Sequence, residues 1–162
     1  MGAMNADDVE RSSALALMPF DEAQHLWGPR LERLTEIVIG ASMAVQRALG
    51  PGFLEAVYEK ALSVELGTRG IFHRNQVPIP VFYRDQPVGD YVADLVVENA
   101  LIVEIKAVSN LHPRHEAQLV NYLAAVRAEI GLLLNFGEDR LVFKKKFRTY
   151  RPSSDPATPS PF

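Results

Sequence analysis

The 162-residue chain contains no cysteine. Disulfides and thiolate zinc sites are excluded together, and the composition fits a cytoplasmic protein. Long apolar runs are also missing. No stretch reaches the ~18–20 residues that a membrane span requires, so no membrane partner is expected. Positive charge is not in excess: 17 Lys and Arg stand against 20 Asp and Glu, a formal net charge of −3. Any contact with a polyanion must then be a local basic patch offset by acid elsewhere. There is no internal repeat, no glycine-rich phosphate loop and no G-x-S-x-G elbow. His112 and His115 lie close in sequence but in no H-E-x-x-H pattern.

What is present is ordinary in bulk. Hydrophobic residues make up 48% and charged residues 23%, which suits one globular core. Residues 1–27 read as a partly ordered arm, with Trp27 as its anchor. Residues 28–150 read as one domain, and the Pro- and Ser-rich 151–162 as a disordered tail.

Apolar spacing of three and four predicts a helix over 30–49, ended by Gly50-Pro51-Gly52. A second helix is expected over 53–66, with Leu54, Val57, Tyr58, Ala61, Leu62 and Leu66 as its stripe. A strand over 71–83 carries Pro78 and Pro80, which favour an edge or irregular strand. A third helix, about 113–128, starts with proline in its first turn. The strands 131–136 and 140–148 close the domain.

The most informative stretch is 91–108, YVADLVVENALIVEIKAV, two apolar runs flanking Glu98-Asn99-Ala100. Side chains alternate along a strand, so Glu104 and Lys106 share a face. A turn centred near Asn99 puts Asp94 opposite Glu104, although a slip of one residue would break the pairing. Two carboxylates in contact repel unless a cation lies between them. Hard divalent ions such as Mg²⁺ take oxygen ligands, and a neighbouring lysine can orient water or hold the charge of an attacked phosphate. The competing reading is a salt-bridge ladder on a half-exposed strand.

Three other groups are ambiguous in the same way. Glu55 is either a third carboxylate aimed at the hairpin or a first-turn acid complementing the helix dipole. His115, Gln118 and Tyr122 form one stripe on the third helix, facing either the same cleft or solvent. Lys144, Lys146 and Arg148 share a strand face. They either hold a phosphate backbone or keep an edge strand from pairing with other molecules.

The stretch Leu49-Gly-Pro-Gly-Phe-Leu-Glu-Ala-Val-Tyr58 resembles the signature of the GxxExxY proteins, with Gly52, Glu55 and Tyr58 at the named positions. The similarity continues through Gln76-Val-Pro-Ile-Pro, Asp94-Leu-Val-Val, Val103-Glu-Ile-Lys106, His115-Glu-Ala-Gln118, Asn121-Tyr122-Leu123 and Gly131-Leu-Leu-Leu-Asn135-Phe136-Gly137, covering about 35–148. That family is placed in the PD-(D/E)XK superfamily, close in pattern to RecB-like nucleases. Their Q-x-x-x-Y element is matched by Gln118 and Tyr122. One departure is Gln46, which stands where family members often have histidine.

The resemblance implies an α/β fold with a mixed central sheet flanked by helices. It implies Asp94, Glu104 and the Ile105 carbonyl as ligands of Mg²⁺ or Mn²⁺, with Glu55 joining directly or through water. Lys106 would orient the attacking water, and Gln118 would position Lys106 or the phosphate. Substrate contacts are expected from Tyr122, Tyr58, His115, Lys144, Lys146 and Arg148. The expected activity is a metal-dependent nuclease on nucleic acid, DNA first, in repair or defence. A homodimer is left open. The alternative is a catalytically inactive nucleic-acid-binding or protein-interaction module on the same fold.

Overall fold

Helical and strand periodicities alternate along the chain in the order that the sequence predicts. The computed structural model describes residues 20–148, with side chains from Pro29 onward. Its elements are α1 (Phe20–Leu49), α2 (Glu55–Thr68), β1 (His73–Tyr83), β2 (Gln86–Val97), β3 (Leu101–Lys106), α3 (Pro113–Val126), β4 (Ile130–Asn135) and β5 (Val142–Phe147). The Trp27 side chain and the tail at 151–162 lie outside the described residues.

The five strands form one sheet in the order β1-β2-β3-β4-β5. β3 and β4 are parallel, and every other neighbouring pair is antiparallel. The α3 crossover makes the parallel pair possible, since such strands cannot be joined by a tight turn. Helices cover both faces. On one face α1 and α2 bring Leu34, Val38, Tyr58 and Leu62 onto Leu95, Val103 and Leu132. On the other, α3 brings Leu119, Tyr122 and Leu123 onto Val96, Ile102 and Leu133. β3 and β4 are therefore almost wholly buried, which explains their continuous apolar runs. The proline-bearing β1 is an edge strand, as expected.

Helix ends follow local chemistry. Gly50 leaves α1 at φ +67, and its N–H bonds the Gln46 carbonyl at 2.8 Å. Gly70 supplies the left-handed exit after α2. α1 starts at Phe20, well before the expected 30, and runs through Pro29. Proline there removes a helix donor, which is why the sequence signal breaks at that point. Two buried hydroxyls on α1, Thr35 and Ser42, bond back to the Leu31 and Val38 carbonyls at 2.8 and 2.7 Å. The α2 stripe is narrower than predicted: Tyr58, Leu62 and Leu66 are buried, whereas Leu54 and Val57 are exposed. These two lie at the start of the helix, beyond the edge of the sheet face it covers. No helix among the described residues is long and apolar enough to cross a membrane.

Two glycines permit close approach. A Cβ on Gly131 would lie 2.7 Å from Leu119 Cδ1, where α3 presses on β4. A Cβ on Gly137 would lie 2.4 Å from both the Val108 nitrogen and its oxygen. A leucine methyl can yield and a main chain cannot. Both Gly131→Ala and Gly137→Ala should therefore destabilise the fold, within the ~1–3 kcal/mol typical of overpacking. Gly137→Ala should cost more, and denaturant unfolding of the two variants would reveal the opposite order if this account of the packing is wrong.

Candidate active site

The site begins where one ladder stops. β2 pairs with β3 through Val97↔Leu101, Val96↔Ile102 and Leu95↔Val103. One step further in this register places Asp94 opposite Glu104, as the alternation predicts. The main-chain pairing ends there, while β2 continues to pair with β1 back to Gln86. The two strands thus part at the carboxylates. The Ile105 N–H donates to Asp94 Oδ2 at 2.7 Å, and the Asp94 N–H reaches Glu104 Oε1 at 3.4 Å. Each acid is pinned through one oxygen to the backbone beside the other.

The turn that sets this register is specific. Glu98 and Asn99 both adopt positive φ, +52 in each case, and the Ala100 N–H bonds the Val97 carbonyl at 3.0 Å. Asn tolerates this region better than most side chains. The Glu98 carboxylate also accepts from the Phe72 N–H at 2.9 Å, and Asn99 Oδ1 accepts from Arg74 at 2.8 Å. The turn is thereby tied to the start of β1.

Glu104 is only 4% exposed, on a strand covered on both faces. Burial, and then the neighbouring Asp94, pushes its pKa up from the ordinary 4.5 to about 8, against the pull of Lys106. Burial also raises Asp94, opposed by the Ile105 hydrogen bond, with Glu59, Lys106 and Glu55 acting in smaller measure. Lys106, half-buried at the end of β3, forms no ion pair among the described residues. Its carbonyl accepts from the Phe136 N–H at 2.8 Å. The segment beyond it is fastened by the fully buried Asn135, whose side chain bonds the Val108 N–H and carbonyl at 3.0 and 2.8 Å.

The donor set fits a hard divalent cation. It offers carboxylate oxygens with raised proton affinity and neither imidazole nor thiolate. Among the described residues, no group of three His, Cys, Asp or Glu is arranged to hold a metal. The protein would supply Asp94 and Glu104 and leave other positions to water and substrate, as Mg²⁺ sites commonly do. A cavity of about 520 Å³ opens beside Asp94, lined also by Glu55, Glu59 and Gln76, with Phe53, Leu54, Ala56 and Ala107. Glu55 thus comes to the same cavity as Asp94, from the first turn of α2.

Other predicted residues are placed differently. Tyr58 is fully buried. Its hydroxyl donates to the Gly50 carbonyl at 2.6 Å and accepts from the Phe53 N–H at 3.2 Å, and its ring stacks on Phe136 at 4.7 Å. It locks the α1–α2 connection and cannot touch substrate. Tyr122 is 4% exposed. Burial, then Glu104, pushes its hydroxyl up to about 12. It backs the carboxylates, and the half-exposed Tyr91, 5.0 Å away between ring centres, covers it. His115 closes a capping box on α3: its Nδ1 accepts from the His112 N–H at 3.1 Å, while His112 accepts from the Arg114 N–H. Burial, then Lys106, holds its pKa down. Gln118 is half-buried on the same helix.

The basic face of β5 is already partnered. Lys144 and Lys146 both pair with Glu116 of α3, the latter at 2.7 Å, and Lys145 pairs with Glu32 of α1. Lys144 and Lys146 thus form a clasp between edge strand and helix, and a phosphate backbone would have to compete with Glu116 for them. Arg148 follows the strand, its N–H on the Glu129 carbonyl at 3.0 Å. The Gln46 amide nitrogen is also partnered, although its buried Oε1 is not. The nitrogen donates to the Glu138 carbonyl at 2.7 Å and, more weakly, to Phe136 at 3.4 Å.

Two polar residues at the site escaped the sequence reading. Glu59 acts more strongly on Asp94 than Glu55 does, and its spacing of four from Glu55 was the available signal. Gln76 faces Asp94 across β1–β2 with φ +51 in mid-strand. Such a backbone costs ~1–3 kcal/mol, and no glycine marks it.

The family model of the PD-(D/E)XK nuclease superfamily matches residues 32–149. The crystal structure of SSO0001 is similar at 21% identity and a TM-score of 0.47, covering 60% of this chain and 52% of that one, so the chain spans about half its length. No curated protein matches.

Folding raises the proton affinity of Glu104, so the stability it confers is full below about 4.5 and lost as the pH rises through about 8. In chelator, the protein should unfold at lower denaturant near pH 9 than near pH 5, and Glu104→Gln should flatten this difference. Equal midpoints for the parent protein at the two pH values would contradict the burial of an uncompensated acid.

Proposed function

The chain belongs to the PD-(D/E)XK nuclease superfamily, and from that premise we propose that it is a metal-dependent nuclease. Members of this superfamily are usually nucleases and typically use divalent metals such as Mg²⁺ or Mn²⁺. The reaction is hydrolysis of a phosphodiester bond in nucleic acid, with DNA the first substrate to test and repair or defence the setting. Within the superfamily, the Gly52, Glu55 and Tyr58 signature supports a place among the GxxExxY proteins. The observation that carries the reading is the fork: Asp94 and Glu104 face each other where β2 leaves β3, with Lys106 next on the same strand face.

Asp94 and Glu104 would hold the cation. The cation, when bound, supplies Lewis acidity and lowers the pKa of water. Lys106 places an unpaired ammonium beside the reacting phosphate, where it orients the attacking water and offsets charge gathering on the phosphoryl oxygens. The Ile105 carbonyl, beside the fork, is a further oxygen donor. Gln118 approaches from α3 to position Lys106 or the phosphate. Tyr122 excludes water from behind Glu104, which sharpens every charge interaction in the fork.

A second reading is supported by Gln46. Its amide nitrogen is turned to the Phe136 and Glu138 carbonyls, so that nitrogen is not offered to the fork where family members often carry histidine. A catalytically inactive nucleic-acid-binding module on the same fold would look like this.

Labelled single- and double-stranded DNA incubated with Mg²⁺ or Mn²⁺ should be cut, and chelator should abolish cutting. Lys106→Ala should lower kcat about 10²–10³-fold, the scale of losing one charge-stabilising donor, while its melting temperature stays near that of the parent. Absence of cleavage with either metal, alongside retained DNA binding, would transfer the assignment to the binding module.

A further inference from the structure

Gln76 adopts a backbone conformation that β1 does not need. Six non-glycine residues among those described have positive φ. Arg84 and Asp85 lie between β1 and β2, Glu98 and Asn99 between β2 and β3, and Arg127 caps α3. These are turn and cap positions where left-handed backbone has a use. Gln76 alone sits inside a strand. The register is the same on both sides of it, Asn75↔Leu95 and Val77↔Ala93, so no residue has been inserted. Within β1 the single position that drops out of the ladder is Gln76, opposite Asp94.

The side chain shows what the distortion achieves. Gln76 Nε2 donates to Glu59 Oε2 at 2.8 Å and lies 3.5 Å from Asp94 Oδ1. Both neighbours of this nitrogen are carboxylates, so the amide can be oriented only one way, with its NH₂ toward the acids. Glu59 is itself braced, through Oε1, by Asn75 at 2.9 Å, and Asn75 is held by Ser63. Asp94 Oδ2 is already fixed by the Ile105 N–H. The carboxylate therefore has a short bond at one oxygen and a long, yielding one at the other.

We propose that Gln76 is a positioning residue for the metal site. It leaves the strand ladder to steady Asp94 Oδ1 toward the cavity, with Glu59 as its anchor, so that Asp94 meets a divalent cation in one orientation. The inference deepens the metal-dependent reading above and rests on it. Outer contacts of this kind tune metal affinity by orienting the ligand rather than by touching the ion. A side chain serving only the fold would not be kept in a conformation that opposes the strand it belongs to.

The test is calorimetric titration of the whole chain with Mn²⁺, beside thermal melting in chelator, for the parent protein, Gln76→Gly and Thr68→Ala. Glycine relieves the left-handed strain and deletes the amide. Gln76→Gly should melt no lower than the parent yet bind Mn²⁺ about 10-fold more weakly. Thr68→Ala, on the same helix as Glu59 but bonded only to the Val64 and Glu65 carbonyls of that helix, should bind like the parent. Parent-like affinity in Gln76→Gly would overturn the inference while leaving the metal site standing. So would weaker binding joined to a lowered melting temperature, the mark of a residue serving the fold. Failure of the parent to bind Mn²⁺ would overturn the inference and the metal reading together.

Discussion

Everything in this protein turns on a carboxylate that folding removes almost wholly from water. Glu104 lies on a strand walled by helices on both sides and faces a second acid across a gap in the sheet. In a low-dielectric interior such a pair is unfavourable without a counter-ion, and the apolar burial around it must offset the difference. The sheet could have avoided the problem by continuing the β2–β3 ladder. Instead the strands separate, and an amide that would have bonded main chain bonds the Asp94 side chain. The fork and the electrostatic tension are one feature seen from two directions.

The surrounding elements keep that fork open and in register. The left-handed turn at Glu98-Asn99 sets which residues meet, and its side chains tie it to β1. Tyr122, backed by the α3 core, closes the rear of the site. Asn135 and the bare Cα of Gly137 bring the chain after Lys106 against the end of β4, so the lysine is held at the base of its side chain while its tip remains unpaired. Buried hydrogen-bonded contacts of this sort hold geometry better than exposed ion pairs do.

The fork itself was legible in the sequence because strand alternation has only two phases, and a short turn selects one of them. Asp94, Glu104 and Lys106 needed nothing more. The order of helices and strands was equally readable from apolar period and from Gly50, Pro113 and the β1 prolines. Residues whose role depends on a distant partner were not. Tyr58 looks available in a motif, and only the fold shows it packed on Phe136. Lys144 and Lys146 look like a basic patch until Glu116, from another element, is brought to them. Gln76 carries no mark of its left-handed backbone, since glycine or asparagine would be the usual sign.

The lysines of β5 have a consequence for how the molecule is made. Alternate side chains of this one strand reach to α3 on one face and to α1 on the other, and Glu32 and Lys145 are 113 residues apart in sequence. The strand that links both helical layers is the last of the described elements to leave the ribosome. Until it arrives, β4 has an open edge, and the two layers meet only through the sheet. The long-range pairing that joins the two helical layers through β5 is thus a late event in synthesis, and a nascent chain carries its acidic fork before it carries the edge strand beyond β4.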